Sequence, residues 1–144
     1  MLVNRRDTRA YLLDKLDSIA ADDVFTLADR RREILDKAKE TADRLPHLHD
    51  RIELAADLMR DFAAGEAGQI PLHCVAVVAV ALHYLLQDVD AIPDFLPGGL
   101  DDDDLMLEVA FEIGRDGLER YCAARGHDCA VLGKHGGRPR SGGE

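Results

Sequence analysis

The chain has 144 residues, 47% apolar and 5% aromatic with no Trp, and a formal net charge of −10. That length suits one domain with a buried core, and an apolar set dominated by Leu, Ala and Val favours packed helices over a β-sandwich. Essentially all of the acidic excess lies in residues 61–114, which hold 11 Asp/Glu and no Lys or Arg; such a surface repels phosphate backbones, so no nucleic-acid partner is expected.

The opening stretch MLVNRRDTRAYLL lacks the apolar region and small-residue cleavage site of a secretory leader. With an odd number of cysteines (Cys74, Cys122 and Cys129) this points to a reducing compartment. The expected location is cytoplasmic, with peripheral membrane attachment as the variant.

The first predicted helix covers residues 8–20, with Leu12, Leu13, Leu16 and Ile19 on one face and Thr8 as its cap. Asp22 or Asp23 then caps a second helix running to about Leu45 along a Val24, Leu27, Ala28, Ile34, Leu35, Ala38, Ala42 stripe. Arg31 falls on that stripe, where its stem can cover apolar surface while its head reaches water. Pro46 marks a joint, since proline fits the first turn of a helix and breaks an interior. A third helix over about 47–64 carries Leu48, Ile52, Ala55, Met59 and Phe62, stepping by four and three. That heptad-like seam raises the expectation of a homo-oligomer or a partner helix. GEAGQIP ends it, with Gly65 and Gly68 in the turn. Residues 1–64 thus read as amphipathic helices that pack on a core.

IPLHCVAVVAVALHYLL, residues 70–86, is apolar on every side, which places it at the centre of a bundle or against lipid. At about 1.5 Å rise per residue it falls short of a hydrocarbon core of about 30 Å. DAIPDFLPGGLDDDD, residues 90–104, follows, with six Asp. Pro93 and Pro97 stop the helix, and Gly98 and Gly99 permit a tight reversal. One of Asp101–Asp103 is the expected N-cap of the last helix, over 101–125, where carboxylates meet the free N–H groups and the helix dipole. Gly114 and Gly117 in that helix permit a close neighbour, and Gly126 stops it. Residues 127–144 are Gly-rich and polar, and read as a disordered tail.

Capping accounts for some of the acids. Asp88, Asp90 and Asp94 lie instead near a helix C-terminus, where negative charge is unfavourable, and no Lys or Arg stands nearby in sequence. Clustered carboxylates share protons or recruit a cation. A divalent site is therefore weighed, with Asp90, Asp94, Asp103 and Asp104 as oxygen donors for Mg²⁺ or Ca²⁺. His83 would shift the choice toward Zn²⁺ or Mn²⁺. The simpler reading is a capped turn that sets the angle between two helices. Cys122, His127, Cys129 and His135 are spaced C-x₄-H-x-C-x₅-H, which is no standard zinc pattern.

The stretch ALHYLLQDVDAIPDFLPGGLDDDDLMLEVA resembles the YkvA-like family, a family of domains of unknown function. Tyr84, Asp90, Ile92, Pro93, Asp94, Phe95, Leu96 and Pro97 carry the likeness, with Asp103 and Asp104 as the family's Asp-Asp pair. It covers about residues 70–113. The family commonly has Ser-Pro where this chain reads Asp88-Val89, a departure that adds charge. The resemblance implies a helical hairpin, here in residues 65–126, with segments 70–87 and 101–125 joined by the Pro/Gly/Asp turn. It brings a common association with membranes and no established reaction. The expectation is one all-α domain of about five helices. Its expected role is that of a non-catalytic helical interaction module. A metal-dependent hydrolase or metal-binding protein using the Asp cluster is the alternative, and a membrane-embedded hairpin the third reading, weakened by Glu108 and Glu112, which are costly in hydrocarbon.

Overall fold

A computed structural model describes residues 5–42, 45–87 and 99–126, the side chains of Gln87 and residues 99–103 excepted. The fold is all-helical. Among the described residues there are seven helices and no strand: α1 (Arg5–Leu16), α2 (Ala21–Asp29), α3 (Arg31–Thr41), α4 (Pro46–Ala63), α5 (Leu72–Gln87), α6 (Gly99–Ile113) and α7 (Arg115–Arg125). The turn residues Pro93, Pro97 and Gly98 and the tail 127–144 lie outside the described residues, while Gly99 opens α6.

The expected five helices become seven because two long ones are bent. The segment from Ala21 to Thr41 breaks at Arg30, with φ −96° and ψ 18°. Arginine is a good helix former, so nothing local marks the spot. The reason is tertiary: α2 packs on both α4 and α5, whereas α3 follows α4, and the chain turns where its neighbours change. The helix expected over 101–125 breaks at Gly114, which packs its Cα side against Cys74 of α5. A Cβ at Gly114 would stand 3.2 Å from the Cys74 Cα. The helix ends differ too. Thr8 lies buried inside α1 and does not cap it. The N-cap of α2 is Ala20, and Asp23 serves the cap from inside the helix by accepting the Ala20 N–H at 2.8 Å. Gly126 closes α7 in the left-handed region at φ 78°.

The apolar α5 is the centre. It packs against α1, α2, α4, α6 and α7, and every residue from Cys74 to Leu82 is buried. A helix surrounded on all sides has no polar face to show, which explains the unbroken apolar run. The α4 seam is also consumed inside the chain: Leu48, Ile52, Ala55 and Met59 are fully buried in the same core. Its heptad spacing therefore reflects packing on α2, α3 and α5, and no longer argues for association between copies. Among the described residues no helix is long and apolar enough to cross a membrane.

Gly117 brings α7 close against the start of α5. A Cβ built on Gly117 would meet Cys74 Sγ at 2.7 Å and Pro71 Cδ at 3.0 Å. Overpacking a tight contact costs about 1–3 kcal/mol, while Ala gains about 1 kcal/mol of helix propensity over Gly. Gly117→Ala is accordingly expected to destabilise by about 1 kcal/mol in urea melts. Adding Cys74→Ala removes the clashing sulfur, so the double variant should recover part of that loss. Additive losses would contradict the contact.

Candidate functional site

The acidic stripe of α6 meets cations that are distant in sequence. Asp104, Glu108 and Glu112 recur every four residues and share one face. Asp104 Oδ1 accepts from Arg51 Nη1 at 2.7 Å, and its Oδ2 lies 2.8 Å from His47 Nε2. Arg51 also stands 3.6 Å from Glu108. On the other side, Arg5 of α1 donates to Glu108, and to Glu112 at 3.0 Å. The stripe thus clamps α1 and α4 onto α6. Both oxygens of Asp104 are engaged, so a cation bound there would compete with Arg51 and His47.

Of the other residues considered for a metal, Asp90 and Asp94 lie outside the described residues, as does the side chain of Asp103. His83 is exposed on α5 and lines a cleft to which Asp104 does not contribute. Among the described residues, the potential ligand atoms that converge within 4.8 Å are those of His49, Asp50 and Glu53. This α4 trio is paired with itself, His49 Nδ1 lying 3.1 Å from Asp50 and Nε2 3.5 Å from Glu53. Cys122 is buried in α7, and its proposed zinc companions lie outside the described residues.

A second polar centre lies in the core. Asp61, near the end of α4, is 1% exposed. Its Oδ2 accepts the Tyr121 hydroxyl at 2.7 Å and lies 3.3 Å from Arg125 Nε, and its Oδ1 accepts from Arg60 at 3.2 Å. Burial alone would push the Asp61 carboxyl up, but the hydrogen bonds from Tyr121 and Arg60 and the charges of Arg60 and Arg125 outweigh it and hold it below its ordinary value. Burial and the Asp61 carboxylate together push the Tyr121 phenol far up. The pair stays carboxylate and phenol across the neutral range, which suits a structural pin between α4 and α7.

A cavity of ligand size lies between α1, the 17–20 connection, α2 and α5. It has a volume of about 370 Å³, within the range of small-molecule sites. Its apolar wall is Ile19, Leu27 and Val80. Its polar rim carries Tyr11, Lys15, Ser18, Asp23, Thr26, Arg30 and His83. Tyr11 is fixed by an edge-on contact with Tyr84, ring centroids 5.7 Å apart, and Lys15 Nζ stands 5.8 Å from the Tyr11 ring centre. Burial pushes the Tyr11 phenol up, which keeps it a protonated donor at neutral pH.

Several rim groups already have partners. Arg30 donates to Glu33 from Nε at 2.9 Å and from Nη2 at 3.1 Å. Thr26 donates to the Asp22 carbonyl at 3.0 Å, and Asp23 accepts from Ala20. Sequence reasoning missed this cleft except for His83. One local signal was available: Tyr11, Lys15 and Ile19 step by four, placing a lysine on an otherwise apolar face. The other wall comes from α5, some sixty residues on, which no local pattern announces. No family model, curated protein or solved structure matches the chain.

Proposed function

We propose that this protein is a non-catalytic helical interaction module that holds a small organic ligand in the cleft between α1, α2 and α5. The observation that carries the reading is the cleft's make-up: an apolar wall of Ile19, Leu27 and Val80 under a rim of hydrogen-bonding side chains. Binding sites for small molecules have this character, an apolar body pocket with a few polar groups that set orientation. Asp23 and Arg30, two of the rim's charged groups, are tied to fixed partners, as suits groups that position. The contact surface assigned is the cleft, because the α4 seam is used within the chain.

The likeness to the YkvA-like family belongs to the same proposal. It treats α5 and α6, which pack along each other, as that family's hairpin, with the acidic turn between them. On this reading the α6 carboxylates hold the hairpin to α1 and α4, and the ligand is met in the cleft that α1 and α2 form with α5.

The test uses an uncharged probe, the dye 1-N-phenylnaphthylamine, whose fluorescence rises in apolar surroundings. The wild-type protein should show a saturable fluorescence increase. Thr26 is exposed at the cleft rim, so Thr26→Trp should fill the mouth with a stability change within about 0.5 kcal/mol. Dye binding should then be lost while the melting temperature holds. Equal binding to the variant would remove the cleft from the proposal.

A further inference from the structure

We infer that the cleft's ligand is a monoanion, a carboxylate on a short apolar body, with Lys15 as its charge partner; the inference rests on the proposed use of the cleft. The chain as a whole is strongly acidic, and α5 and α6 lie within the stretch that has no Lys or Arg. Yet α1 and the break between α2 and α3 bring two cations to this one cavity, Lys15 and Arg30. They are not equivalent. Arg30 is bound through two nitrogens to Glu33. Lys15 has no carboxylate within 4.0 Å among the described residues, and its ammonium is held near the Tyr11 ring.

The lone rim carboxylate, Asp23, is turned to the backbone, its Oδ2 accepting the Ala20 N–H. Tyr11 and Ser18 add neutral O–H donors beside Lys15. One uncommitted ammonium with neutral donors matches a single negative charge. A dianion such as a phosphate monoester would leave charge uncompensated next to Asp23, and a cation would face Lys15. The apolar wall of Ile19, Leu27 and Val80 takes the ligand's hydrocarbon part.

The experiment compares octanoate, 1-octanol, octyltrimethylammonium and octyl phosphate, all as monomers in low salt, by titration calorimetry and by amide shifts of residues 11–30. A hydrogen-bonded charge pair corresponds to about tenfold or more in affinity, so octanoate should bind at least that much more tightly than octanol. Lys15→Met should erase that preference; Lys15 is exposed, so its loss should not unfold the chain, and a melt verifies this. Equal affinity for octanoate and octanol, tighter binding of the ammonium or the phosphate, or a preference that survives Lys15→Met would each overturn the inference while leaving the cleft as a ligand site. Shifts absent with every probe would overturn the proposed function as well.

Discussion

Replacing Asp61 with Ala is expected to lower the unfolding free energy by about 3 kcal/mol, the size found when one partner of a buried charged hydrogen bond is removed. The residue is almost wholly buried, and it receives the Tyr121 hydroxyl at 2.7 Å. Truncation leaves that hydroxyl without its acceptor in the core and deprives Arg60 and Arg125 of their shared anion. Both arginines are partly exposed and can turn to water, so the cost falls mainly on Tyr121. Tyr121→Phe should cost about 1.5–3 kcal/mol, since it takes one hydrogen bond from a buried carboxylate that keeps Arg60 and Arg125. The two losses should not add. A double-variant cycle that is additive within about 0.5 kcal/mol would show that the pair does not act as a unit.

The same pair sets a pH dependence. The Asp61 carboxyl is held below its ordinary value in the fold. Its contribution is therefore complete above the unfolded carboxyl's pKa of about 3.9 and is lost as pH falls below that. The Tyr121 phenol is raised, so its contribution is complete below an unfolded pKa of about 10 and fades as pH climbs further. Urea midpoints should hold between these limits and drop on the acid side. In Asp61→Asn the acid drop should be shallower. An unchanged acid slope in that variant would assign the acid sensitivity to other carboxylates.

Arg51→Met is the second large effect, a loss of about 2–3 kcal/mol, below the full cost of breaking a buried pair because Asp104 retains some exposure. Methionine keeps most of the apolar stem, so the change tests the charge and not the packing. Arg51 is 8% exposed and reaches both Asp104 and Glu108. Without it, the acidic face of α6 keeps Arg5 on Glu108 and Glu112 and the His47 ring beside Asp104. Repulsion between carboxylates one turn apart would then loosen α4 from α6. Raising salt screens that repulsion, so the deficit of the variant should shrink at about 1 M salt. A deficit that is absent at low salt would mean that the ion pairs only decorate a contact made by the core.

The cations that meet α6 illustrate why the sequence was a partial guide. Read along the chain, residues 61–114 contain eleven acids and no Lys or Arg, and that absence made a metal ion an attractive counter-charge. In three dimensions Asp104 and Glu108 meet counter-charges from afar: Arg51, 53 residues before Asp104, and Arg5, 103 residues before Glu108. Charge balance is a property of space, and a sequence window cannot see it. The two helix bends teach the same lesson from the backbone side. Gly114 advertised a close approach, and Cys74 is what approaches. Arg30 advertised nothing, because its bend follows a change of neighbours.

What the sequence settled by itself was the all-helical class and the place of the most apolar segment. Hydrophobic periodicity is a local quantity, and a run such as residues 74–82, apolar on every side, has to be surrounded. The signals at Pro46, Gly65, Gly68 and Gly126 were equally local, since each acts through its own backbone angles or missing N–H. Tertiary structure alone decided that the α4 seam faces inward, that Asp61 meets Tyr121 sixty residues away, and that Lys15 and Val80 border one cavity. Those are choices among partners, and a partner is chosen by how whole helices pack, which no single stretch of chain specifies.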